Sequence, residues 1–147
     1  MVLAFLARFQ PMHVIHQKMI EKYNPEVILV GSSDEQRTVR NPFSFEERLE
    51  MIKTVFLNKK VLPLPDFNNN IKWLKSVEGY EIISNNHRVI DLLPKKSLII
   101  PKRVEGFSST IIRKKILAGE NVRDYLDKNV FNYLVEIDGF EIIKKIG

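Results

Sequence analysis

Residues 2–16 read Val2-Leu3-Ala4-Phe5-Leu6-Ala7-Arg8-Phe9-Gln10-Pro11-Met12-His13-Val14-Ile15-His16. Val2 to Ala7 is an apolar run short enough to be a buried strand, and Gln10-Pro11 marks a turn after it. From His13 to Tyr23 the apolar residues Val14, Ile15, Met19, Ile20 and Tyr23 recur near helical spacing, and Pro25 bars continuation. Val27 to Val30 repeats the buried-strand pattern, closed by Gly31. The polar stretch Ser32 to Asn41 reads as a loop. Ser44-Phe45-Glu46-Glu47 is then a capping box, in which hydroxyl and carboxylate satisfy the free amides of a helix start, and Leu49, Ile52, Val55 and Phe56 supply the apolar stripe. Further strands are expected at Val61 to Leu64, Glu81 to Ser84 and Leu98 to Ile100. Ser108 or Ser109 caps a helix running to Ala118 with Gly119 as its stop, and a last helix covers about Val122 to Glu136. Five short apolar strands alternating with helices define an α/β protein with a doubly wound parallel sheet. In such sheets ligands gather outside the carboxyl ends of the strands, which directs attention to the loops after Ala7, Gly31, Leu64, Ser84 and Ile100.

Composition limits the chemistry. With 147 residues, 44% hydrophobic and 28% charged, the chain fits one globular domain over 1–147. Cysteine is absent, which removes disulfides, thiolate nucleophiles and Cys-ligated metal centres. No run approaches the roughly 20 apolar residues of a bilayer span. Met1 to Phe9 carries Arg8 without a small-residue cleavage site, so a soluble protein of the cytoplasm with no membrane partner is expected. A net charge of +5 favours an anionic partner. The basic pairs Lys59-Lys60, Lys95-Lys96, Lys102-Arg103, Arg113-Lys114-Lys115 and Lys144-Lys145 are scattered and not interleaved with aromatics. A solvated surface therefore fits them better than a nucleic-acid footprint.

Two helix starts carry candidate chemistry. His13 and His16, three apart, share one face of the first helix beside its amide donors, and with Arg8 they can cradle a phosphate. A polar helix-start residue and a core-edge histidine are the plain alternatives. Zinc ligation by the pair needs a third ligand, and His87 has no ligand-like spacing. Ser108-Ser109-Thr110-Ile111-Ile112-Arg113 offers hydroxyls, amides and a guanidinium to the same kind of anion, against the alternative of a capped helix with a solvent-facing arginine. Both starts follow parallel strands and so open on the same sheet edge.

Those motifs resemble the archaeal-type nicotinamide-mononucleotide adenylyltransferases of the HxGH nucleotidyltransferase superfamily. The pattern G-R-F-Q-P-x-H-x-G-H falls on Ala7 to His16, with Ala7 and Ile15 at its glycines. A second pattern falls on Gly31, Ser32, Thr38, Asn41, Pro42, Phe43, Ser44, Glu47 and Arg48, with Gln36-Arg37 where the family has S-H. Asp66-Phe67-Asn68 through Trp73 and Val77 resembles the family's Trp-bearing segment. S-G-N falls on Ser84-Asn85-Asn86, S-G-T-x-I-R on Ser108 to Arg113, and E-I-D-G on Glu136 to Gly139.

The resemblance implies a single-domain, Rossmann-like fold and transfer of AMP from ATP to nicotinamide mononucleotide. It implies catalytic roles for His13, His16, Arg8, Thr110 and Arg113, and nucleotide binding by Phe9, Gln10, Ser32, Arg48, Ser108 and Ser109. Asn41, Trp73, Ser84 and Asn86 would bind the acceptor, Trp73 by stacking on the pyridine ring unless it is a core anchor beside Leu74 and Val77. Mg²⁺ would travel on the ATP phosphates with no protein ligand, nucleic acid would be no partner, and the chain would form a homo-oligomer. The alternatives are a sister transferase for another phosphorylated acceptor (a pantetheine phosphate, flavin or cytidylyl-type substrate) and an inactive nucleotide-binding module.

Overall fold

The computed structural model describes all 147 residues. Strands β1 (Val2–Ala7), β2 (Val27–Gly31), β3 (Lys60–Leu64), β4 (Tyr80–Ile83) and β5 (Leu98–Ile99) form one sheet in the order β3-β2-β1-β4-β5. Every pairing is parallel, with Ala4 opposite Val27 on one side of β1 and opposite Ile82 on the other. The winding runs outward from β1 to β3 and then returns to the far side of β1. The switch point, where such sheets open a crevice, therefore lies between β1 and β4. Pro63 sits in β3, an edge strand, where a missing ladder donor is tolerated.

Strand alternation builds two cores. Phe5, Ile28, Val30 and Ile83 point to the larger one, which is covered by α1 (Val14–Tyr23), α2 (Phe45–Lys53), α5 (Ser109–Leu117), α6 (Lys128–Glu136) and α7 (Gly139–Ile146) through Ile20, Ile52, Ile112, Leu134 and Ile143. Ala4, Leu6, Val27, Leu29 and Ile82 point to the smaller one, closed by α3 (Asn70–Ser76) and α4 (His87–Leu92) through Trp73 and Val89. Full burial of one such side chain contributes about 1.5–3 kcal/mol, so the face carrying five helices holds most of the stability. No helix is long and apolar enough to cross a membrane.

The capping box forms as read: Ser44 Oγ accepts from the Glu47 amide and Glu47 Oε1 from the Ser44 amide, at 3.2 and 2.8 Å. Other expectations need correction. Helix α2 ends at Lys53, so Val55 and Phe56 pack on the core from beyond it. The helix expected over Val122 to Glu136 is broken. Arg123–Tyr125 is one 3₁₀ turn, Leu126 is extended, and Asp127 caps a separate α6 by accepting from the Asn129 amide at 2.8 Å. A carboxylate with a free helix start beside it outweighs continued helix propensity. Helices α3, α4 and α7 extend the expected set; Asn69 and Asn86 cap the first two through their side chains. Ser108, not Ser109, caps α5.

Candidate active site

A cavity of about 830 Å³ opens over the carboxyl ends of β1 and β4. Arg8, Phe9, Gln10, His13, His16, Ser32, Asn41, Trp73, Ser84, Asn86, Ser108, Ser109, Thr110 and Arg113 all line it. Arg48 does not, and its expected contact with a nucleotide is corrected by its geometry. It is fully buried, and its guanidinium donates to the carbonyls of Arg8, Gly31, Ser32, Glu35 and Ser44 at 2.8–3.3 Å. No carboxylate pairs with it, and burial, followed by the charge of Arg8, pushes its pKa down to about 10. Arg48 thus ties together the ends of β1 and β2 and the loop after β2.

The histidine pair forms a capping box from imidazoles. His13 Nδ1 accepts from the amides of Ile15 and His16 at 3.2 and 3.4 Å, while His16 Nδ1 accepts from the His13 amide at 3.1 Å. The rings stack with centroids 3.7 Å apart, and Phe9 packs on His16 at 4.8 Å. A ring nitrogen that accepts carries no proton, so each neutral imidazole holds its proton on Nε2. Burial pushes His13 down to about 4, and burial with the neighbouring His13 holds His16 well below its usual value. At pH 7 the cavity therefore has two neutral Nε2–H donors side by side at a helix N-terminus.

Three guanidinium groups converge on the same end. Burial first, then the charge of Arg40, lowers the pKa of Arg8; burial, Arg8 and Arg40 push Arg113 down to about 10. Mutual repulsion of this kind is relieved by a polyanion. Arg113 Nη1 donates to the Gln10 carbonyl at 2.7 Å, which fixes its direction. Sequence reading missed Arg40: a loop arginine between polar residues carries no periodicity or motif of its own, and only the fold brings it beside Arg8 and Arg113.

Other expected residues reach the cavity with their polar atoms already engaged. Gln10 holds Phe43 by both backbone groups, donating to its carbonyl at 3.1 Å and accepting from its amide at 2.9 Å. Ser109 donates to the Pro11 carbonyl at 2.8 Å, Ser84 accepts from the Asn86 amide, and the Asn86 side chain caps α4. Phe9 is held at φ 55°, a left-handed conformation that costs a bulky residue of order 1–3 kcal/mol and persists where its surroundings enforce it. Trp73, 5% exposed, packs in the smaller core with Leu6, Leu29 and Val89 and also lines the cavity. No group of three His, Asp or Glu side chains is placed to hold a metal ion.

A doubly wound parallel sheet with paired imidazole donors and three converging arginines at its switch point is suited to holding the phosphates of a nucleotide. Residues 4–79 match the family model described as cytidylyltransferase-like. Over 97% of this chain and 87% of the relative, the sequence is 32% identical to the nicotinamide-nucleotide adenylyltransferase of Pyrococcus abyssi. To that of Saccharolobus solfataricus it is 33% identical, over 95% of this chain and 92% of the relative. The chain belongs to this archaeal nicotinamide-nucleotide adenylyltransferase family within the cytidylyltransferase-like group.

Solved structures share the fold. The bifunctional NMN adenylyltransferase/ADP ribose pyrophosphatase of Francisella tularensis, complexed with AMP and a manganese ion, superposes with a TM-score of 0.72 at 23% identity. That match covers 99% of this chain and 52% of the other, so the chain spans about half the length of that protein. Nicotinic acid mononucleotide adenylyltransferase of Plasmodium falciparum, complexed with NaAD, gives 0.61 at 14% identity over 95% and 97% of the two chains.

Proposed function

We propose that this protein, acting as one domain over residues 1–147, transfers the adenylyl group of ATP to the phosphate of nicotinamide mononucleotide, giving NAD and pyrophosphate. The observation that carries the reading is the convergence of His13, His16, Arg8, Arg40 and Arg113 on one cavity, whose wall also includes Trp73. An acceptor phosphate oxygen attacks the α-phosphorus in line; that P–O bond forms while the bond to the β-phosphate bridging oxygen breaks, and pyrophosphate leaves. A phosphate monoester with a second pKa near 6 is already ionised at pH 7, so no side-chain base is needed. The protein's work is positioning and charge stabilisation.

In this reading the two Nε2–H groups donate to phosphate oxygens near the α-phosphorus. Arg8, Arg40 and Arg113 neutralise the triphosphate, and Thr110, Ser108 and Ser109 with the α5 start support it. Phe9, Gln10 and Ser32 shape the nucleotide wall, Gln10 through its hold on Phe43. Trp73 faces the pyridine ring, while Ser84, Asn86 and Asn41 border the acceptor. Mg²⁺ enters as part of the substrate, on the ATP phosphates and its own waters. A cytoplasmic, homo-oligomeric enzyme belongs to the same reading.

Purified protein given ATP, Mg²⁺ and nicotinamide mononucleotide should release pyrophosphate and form NAD in equal amounts, and excess chelator should stop it. His16→Ala should lower kcat/KM by about 100-fold, the usual effect of removing one preorganised donor. Product formed only with a different phosphorylated acceptor, or a fully active His16→Ala protein, would overturn this assignment.

A further inference from the structure

Arg40 is carried by the loop between β2 and α2, and that loop is closed by its own hydrogen bonds. The Arg37 amide donates to the Pro42 carbonyl at 3.2 Å, the Thr38 amide to the Asn41 carbonyl at 3.2 Å and the Asn41 amide to Thr38 Oγ1 at 3.0 Å, which leaves Val39 and Arg40 at the tip. Arg37 sits at φ 55°, in the left-handed region that is uncommon for a residue with a side chain. Its guanidinium turns back on the loop. Nη1 donates to the Pro42 carbonyl at 2.9 Å and to Glu47 Oε1 at 2.6 Å, and Nη2 donates to Glu47 Oε2 at 2.9 Å. Glu47 is a firm anchor: its Oε1 also accepts from the Ser44 amide at 2.8 Å, and the adjacent Arg48 ties α2 to the carbonyls of Arg8 and Gly31. Against burial, which acts the other way, hydrogen bonds from Arg37 and the Ser44 amide hold the Glu47 carboxyl below its usual range. Neither Arg37 nor Glu47 lines the cavity.

The load on this tie is electrostatic. Arg40 is exposed at the tip of the loop, and its charge and those of Arg8 and Arg113 repel one another. Unopposed, that repulsion drives the loop outward and disperses the three guanidinium groups; held together, they are preorganised for a polyanion. A bidentate arginine–carboxylate pair suits the task because its two parallel bonds fix direction as well as distance. Such a pair on a half-exposed arginine contributes little to folding stability, so its effect lies in the geometry it imposes. We propose that Arg37 and Glu47 form a clamp that holds the tip of the loop against this repulsion, making them positioning residues that present Arg40 to the phosphates of the nucleotide.

This inference rests on the nucleotide site proposed above, and calorimetric binding of ATP with Mg²⁺ separates the two. Arg37→Met should weaken ATP binding by about 3- to 5-fold, the size of one well-formed surface pair, and Arg37→Lys, which keeps the charge without the fork, by less. Glu47→Gln retains an acceptor for the Ser44 amide, so the start of α2 stays capped, and should weaken ATP binding by about the same factor as Arg37→Met. Melting temperatures of all three should stay close to that of the unaltered protein. The decisive measurement is the pair Arg37→Met with Arg40→Met: once Arg40 is gone, removing Arg37 should cost no further affinity, a coupling that a residue with a merely structural role would not show. Undiminished ATP affinity in Arg37→Met and Glu47→Gln, or the same loss whether or not Arg40 is present, would overturn the clamp. An unaltered protein that binds ATP and shows this coupling but forms no NAD would overturn the proposed function and leave the clamp standing.

Discussion

Two parts of the cavity wall are held by different means. Around the arginines and histidines, buried side chains reach across the chain to backbone groups. Arg48 joins β1, β2 and the loop after β2, Gln10 grips Phe43, and Arg113 grips Gln10. Around Trp73, Asn69 and Asn86 cap α3 and α4 through amides only two or three residues away, and the indole itself completes the smaller core. The difference teaches that the arginine and histidine side of the wall is fixed by long-range polar ties, which no local sequence preference can supply. The wall around Trp73 is fixed by apolar packing and local caps.

Breaking the central tie should have the largest effect. Arg48→Met leaves five carbonyls without their donor, and destabilisation of about 4–5 kcal/mol is expected, in the range reserved for broken buried networks. Urea unfolding measures it. Residual activity of the folded fraction should fall for every acceptor alike. A loss under about 1 kcal/mol would show that those carbonyls find water instead.

Trp73→Ala probes the wall held by apolar packing, with an expected cost of about 3–4 kcal/mol from the cavity left in the smaller core. Trp73→Phe should retain most of the stability and raise KM for the pyridine nucleotide alone, with ATP unaffected. Because Trp73 is the only tryptophan, saturable quenching of its fluorescence by nicotinamide mononucleotide reports the same contact directly. A KM change shared equally by ATP and acceptor would contradict the proposed contact of Trp73 with the acceptor.

Acid sharpens the comparison with a somewhat smaller effect. His13 titrates near 4 in the folded protein and near 6.5 when unfolded. Above about pH 6.5 both states are neutral and the contribution to stability is whole. As pH falls from about 6.5 to 4 only the unfolded chain gains the proton, so stability should decline by about 3 kcal/mol, with His16 acting in the same direction. His13→Asn keeps a capping acceptor and removes the titration, and its stability should decline less over that interval. Identical declines, measured by urea unfolding at pH 7.5 and 4.5, would place the acid sensitivity elsewhere.

Much of this architecture is legible in the residues. Val2–Ala7 and Val27–Gly31 announce themselves as buried strands because both faces of a parallel sheet are covered, leaving continuous apolar runs. Ser44 and Glu47 announce the start of α2. The break before α6 was not legible in the apolar spacing, since Val122, Leu126, Val130 and Leu134 fit one helix while Asp127 starts another. Arg48 was misplaced for a related reason: an arginine in a phosphate-binding context reads as a ligand contact until its donors are traced to carbonyls as many as forty positions away in sequence.

The sequence by itself determined the fold class, the strands and many of the residues that line the cavity, because hydrophobic period, capping chemistry and helix-start donors are local properties. Only the tertiary structure decided which nitrogen of each histidine stays free, that Arg40 joins Arg8 and Arg113, that Arg48 stays beneath the site, and that Asn41 Oδ1 is left without a partner. Each of those depends on burial and on hydrogen bonds in three dimensions, which are set by how the loops meet above the sheet.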